Sequence, residues 1–99
     1  MKIYLLVSVY QNGKQIIKSS ATSIKLSELL SNLLKVILSI DDISNANIMV
    51  NFQRDKSKDW HIILNGIQED LEILNFLKAI HVRFIWNDDS NINISQSEN

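Results

Sequence analysis

Hydrophobic positions along the chain change period several times, and each change marks an element. Residues 2–10 (KIYLLVSVY) are β-branched and aromatic, with Ile3, Leu5, Val7 and Val9 on one alternating face and Tyr4, Leu6 and Tyr10 on the other. A strand apolar on both faces is covered on both or sits centrally in its sheet. Asn12-Gly13 is a two-residue hairpin signal, because both residues tolerate positive φ. Residues 14–24 return as a weaker, more polar strand.

From Ser27 the period becomes helical. Leu26, Leu29, Leu30, Leu33, Leu34, Ile37 and Ile40 recur at steps of three and four, which places them on one side of a helix. Ser27 is the expected N-cap, with Glu28 in the first turn. Asp41-Asp42 is the expected stop. Residues 46–54 alternate again, with Ile48, Val50 and Phe52 inward and Asn47, Met49, Asn51 and Gln53 outward. Asp55-Lys56-Ser57-Lys58 reads as a hairpin loop. The next strand, 59–65, sets Trp60, Ile62 and Leu64 inward, and His61 and Ile63 outward. Asn65-Gly66 turns the chain into a second helix, whose expected inner stripe is Ile67, Leu71, Leu74 and Leu77, widened by Ile73 and Phe76. A last strand is expected over 80–86, with Ile80, Val82, Phe84 and Trp86 on one face and His81, Arg83 and Ile85 on the other.

The predicted order is therefore ββαββαβ. Without its first strand it is the split βαβ of a ferredoxin-like antiparallel sheet, with both helices on one face and an extra N-terminal strand. The competing arrangements are a β-grasp-like fold, built on the first ββαββ, and a novel one. The expected single α+β domain covers 1–87. Residues 88–99 read as a polar, acidic, disordered tail.

Composition narrows the class. At 99 residues the chain has room for one domain with a modest core. Its 45% hydrophobic and 21% charged residues suit a globular chain and not a disordered one. With no Cys there is no disulfide framework, no thiolate nucleophile and no Cys-based zinc site. The first apolar run is too short for a membrane span, and Gln11-Asn12-Gly13-Lys14 stands where a signal peptide has small cleavage-site residues. Cytoplasmic localisation and no membrane partner are expected. The abundance of Ile, Asn and Lys fits an AT-rich source genome.

Net charge is −1. Two of the ten basic residues are Arg, and no Lys/Arg stripe exists, so nucleic acid is not an expected partner. Arg54, Lys56 and Lys58 fall in one hairpin and are neutralised by Asp55 and Asp59. The acidic groups lack calcium-loop or zinc-hydrolase spacing, so no metal and no cofactor are expected. The two glycines cannot make a phosphate cradle, and the serines lack a nucleophile motif. His61 and His81 lie on strands that a ferredoxin-like sheet holds about 10 Å apart, too far for a direct acid–base pair. No catalytic residues are expected; the chain reads as a non-enzyme.

What remains is the helix-free face of the expected sheet. It combines Met49, Asn51, His61, Ile63, His81, Arg83 and Ile85 with one face of the first strand, either Tyr4, Leu6 and Tyr10 or Ile3, Val7 and Val9: large apolar groups among hydrogen-bonding ones without Lys or Glu. Such a surface suits a protein interface. The sequence therefore predicts a protein–protein interaction module whose partner is another protein or a second copy of itself, a homodimer. Small, nearly neutral, Cys-free domains of this type include inhibitor and immunity proteins of phages and mobile elements. The alternative is a regulatory domain binding a small molecule at a homodimer interface.

Overall fold

The computed structural model describes residues 2–54 and 59–90, with side chains described for 2–53 and 61–83. The 55–58 loop, the Trp60 and Trp86 side chains expected in the core, and residues 91–99 lie outside that description. The chain runs β1 (Ile3–Gln11), β2 (Lys14–Ser23), α1 (Leu26–Leu38), a short 3-10 turn (Ile43–Asn45), β3 (Asn47–Arg54), β4 (Asp59–Asn65) and α2 (Asp70–Ser90).

The four strands form one open sheet in the order β2-β1-β3-β4, with every neighbouring pair antiparallel. β1, apolar on both faces, is central, as its sequence requires. Because β2 and β3 both oppose β1, they run parallel to each other with β1 between them. The α1 connection joins these two parallel strands across β1, whereas the ferredoxin-like order expected β4 between them.

The β1–β2 hairpin turns on Asn12 (φ 54°) and Gly13 (φ 77°). Two positive φ values in a row are the type I′ geometry that matches strand twist. A register shift between Val9 and Tyr10 places a bulge in β2 at Ile16. At the far end, Gln11 Nε2 donates to the main-chain oxygens of Asp41 (2.8 Å) and Asp42 (3.1 Å). This ties the hairpin to the loop after α1. Asp42 adopts φ 55°, and its carboxylate accepts from Asn45 Nδ2 at 2.9 Å.

One core joins the sheet to both helices. Ile3, Leu5, Val7 and Val9 of β1 and Ile48, Val50 and Phe52 of β3 meet Leu29, Leu33 and Ile37 of α1 and Ile73, Phe76 and Ile80 of α2. Both helices therefore cover the same sheet face. Each such buried side chain contributes roughly 1.5–3 kcal/mol of transfer free energy.

Four further features differ from the sequence reading. The strand expected at 80–86 is the C-terminal half of α2. Leu77-Lys78-Ala79 are good helix formers with no Gly, Pro or turn residue to end the helix. Ile80 continues the stripe four residues after Phe76 and seven after Ile73. The last strand of a ferredoxin-like sheet is thus absent among the described residues, and the four strands all come from the first ββαββ. The α2 stripe is also rotated: Ile73, Phe76 and Ile80 are buried, while Leu71 and Leu74 are exposed. Finally, Ser23 and not Ser27 serves the start of α1. Its hydroxyl accepts from the Lys25 N–H (2.9 Å) and donates to Glu28 Oε1 (2.6 Å).

Candidate functional site

The parity of each strand fixes what the helix-free face displays. Odd positions of β1 and even positions of β3 face the core. The far face therefore receives even positions of β1 and odd positions of β3 and β4. The pairing register arranges them in rows. Ser20, Leu6, Asn51 and His61 form one row across the sheet. Lys18, Ser8, Met49 and Ile63 form the next. Tyr4 stands beside Gln53 and Thr22, and Tyr10 beside Gln15 and Asn47. No described element covers this face.

Its exposed apolar groups are Tyr4, Met49 and Ile63, at 43%, 44% and 39% of full exposure. Leu6 lies half-buried between Tyr4 and Met49. Ile16, lifted by the bulge, adds another exposed group at the β2 edge. The polar members are Ser, Thr, Asn, Gln and His. Lys18 is the one charged strand residue of the face among the described side chains. An apolar patch inside a mostly uncharged hydrogen-bonding rim has the composition of an interface core more than of a solvated surface.

Asn51 adds a specific signal. It is half-buried between Leu6 and His61, and its Oδ1 is enclosed without a hydrogen-bond partner among the described residues. An enclosed acceptor left unmatched costs about 1–3 kcal/mol. A group held at that cost calls for an explanation.

Of the eight residues singled out from the sequence, the fold brings five together: Tyr4, Met49, Asn51, His61 and Ile63. The other three are placed elsewhere, because 80–86 is helical. His81 is exposed on α2, in the helix layer on the opposite side of the sheet from His61, so the two imidazoles do not form a pair. Arg83 lines a shallow cleft of about 170 Å³ with Ile62, Phe76, Ala79 and Ile80. Ile85 is in α2, and its side chain lies outside the described residues. The sequence reading overlooked the contribution of β2. Its alternation of Lys18, Ser20 and Thr22 against Ile17, Ser19 and Ala21 carried the information, but the bulge at Ile16 breaks the period before the turn.

Among the described residues no group of three His, Asp or Glu side chains is placed to hold a metal ion. No helix in the described chain is long and apolar enough to cross a membrane. No known family, curated protein or solved structure matches this chain.

Proposed function

We propose that the protein is a non-catalytic interaction module that binds a protein partner through its open sheet face. The observation that carries this reading is the patch of Tyr4, Leu6, Met49 and Ile63. It is apolar and rimmed by hydrogen-bonding groups, with the unmatched Asn51 Oδ1 inside it. Binding there is shape and apolar burial, with Asn51 supplying direction. The size, near-neutral charge and lack of Cys support an inhibitor- or immunity-type role in the cytoplasm of a phage- or mobile-element-bearing cell.

The alternative, a small-molecule site at a homodimer interface, would lie between subunits and not within one chain. The cleft between β4 and α2, at about 170 Å³, is below the roughly 300–1,000 Å³ that ligand sites occupy. The test is affinity capture from the source cell with the wild-type chain and with Met49→Lys. A partner held by the first and released by the second is the expected result. Equal capture by both removes the open face from the reading.

A further inference from the structure

The two edges of the sheet are built differently. The β2 edge carries the defences that sheet proteins use against pairing: a bulge at Ile16, and Lys14 and Lys18 along its length. The β4 edge has no bulge, and its one charged residue is Asp59 at its first position. Its ladder with β3 runs through seven consecutive pairs without a bulge, from Asn47↔Asn65 to Gln53↔Asp59. Its described side chains, His61-Ile62-Ile63-Leu64-Asn65, include no Lys, Arg, acid or Pro.

The hydrogen-bond phase shows which main-chain groups that edge offers. Gly66 N donates to Ala46 O at 3.0 Å, so position 66 is a hydrogen-bonded pairing site. Bonded and non-bonded pairs alternate along an antiparallel ladder. Ile62 and Leu64 therefore bond inward to β3. Asp59, His61, Ile63 and Asn65 turn their N–H and C=O groups outward, away from the sheet.

We propose that β4 pairs antiparallel with β4 of a second copy of this chain, about a two-fold axis at Ile62, giving one continuous eight-stranded sheet. That register uses all four outward-facing residues. It sets Asp59 opposite Asn65 of the partner subunit and His61 opposite Ile63 of the partner subunit. Four bonded pairs supply about eight inter-chain hydrogen bonds. No position sets a charge against a like charge, which a self-pairing edge requires. Ile62 and Leu64, half-buried at the margin of the core, gain a neighbour on their open side. The axis is perpendicular to the sheet, so both open faces lie on one side and join at the seam. The inference stands apart from the reading of the face as a docking surface.

Light scattering on the wild-type chain, together with amide hydrogen exchange, tests it. The expected mass is twice the 11.4 kDa of one chain. The His61, Ile63 and Asn65 amides should exchange as slowly as those of Ile62 and Leu64, at least about 100-fold below the unprotected rate. Ile63→Pro deletes an outward N–H that β3 does not use, so the sheet tolerates it, and it should give a folded monomer. Ile63→Ala keeps that N–H and should stay dimeric while losing the face partner. A single-chain mass overturns the proposal. This holds even with protected amides, which would assign the edge to residues 91–99. A dimer in which the odd-numbered β4 amides exchange freely overturns it equally.

Discussion

Met49 and Ile63 stand directly opposite each other on β3 and β4, at a position where the strands share no mutual hydrogen bonds. Side chains approach most closely at such pairs. Two flexible or branched apolar groups are therefore held side by side on a surface that water reaches. Replacing Met49 with Lys removes the patch at its centre and disturbs no core contact. Stability should change by no more than about 0.5 kcal/mol, as for other exposed positions, while partner binding is lost. Thermal denaturation and a binding assay on the same sample separate the two effects.

Asn51 should show the opposite sign. Val at this position removes the unmatched acceptor and suits a strand better. The variant should be more stable by about 1 kcal/mol, a rise of roughly 4–8 °C in Tm for a domain of this size. Its affinity for a face partner should fall, because the donor that Oδ1 awaits no longer finds it. A melt showing destabilisation would mean that the amide already has its partner in the folded chain.

Ile80 and Val82 decide between helix and strand at the C-terminal end. In a strand they would share a face and be buried together. In α2, Ile80 is fully buried and Val82 is half exposed. Val82→Lys should leave the melting curve within about 0.5 kcal/mol. Ile80→Lys should unfold the domain, because an unpaired charge cannot be held in that core. Equal damage from both would return this segment to a strand.

Leu33 has no exposed surface and sits at the middle of the α1 stripe. Leu33→Ala should cost about 2–5 kcal/mol. Against a total of about 5–15 kcal/mol for a small domain, that is a large share, and urea denaturation should show a much lower midpoint.

Gly13 has open space around it, with nothing within 4 Å of an added Cβ. Gly13→Ala should still destabilise, by about 1 kcal/mol, because φ 77° disfavours any residue with a Cβ. The loss is conformational and should appear without any change in core packing, as read by near-ultraviolet circular dichroism.

The inward sides of β1 and β3 and the inner stripe of α1 were legible because alternation and three-to-four spacing are unambiguous over eight or more residues. The hairpin at Asn12-Gly13 was legible because few residue pairs accept two positive φ values. Residues 80–86 were not, since Ile80, Val82, Phe84 and Trp86 alternate like a strand while Ile73, Phe76 and Ile80 also continue a helix. Periodicity alone does not choose between those. The missing turn residue between Leu77 and Ile80 did. Five of the eight candidate residues followed from strand parity. The face of β2 and the phase of the β4 edge needed the pairing register, which a sequence specifies only through contacts distant along the chain.

The central place of β1 has a consequence for how the protein is made. Of the four strands β1 is made first and must end between two others, and its second neighbour, β3, begins 36 residues after the end of β1. Until β3 arrives, Ile3, Leu5, Val7 and Val9 have only the hairpin for cover, and one flank of β1 stays open to wrong pairing. Synthesis speed through residues 12–54, and any chaperone able to hold the apolar β1 segment, therefore bear on yield alongside the stability of the finished domain.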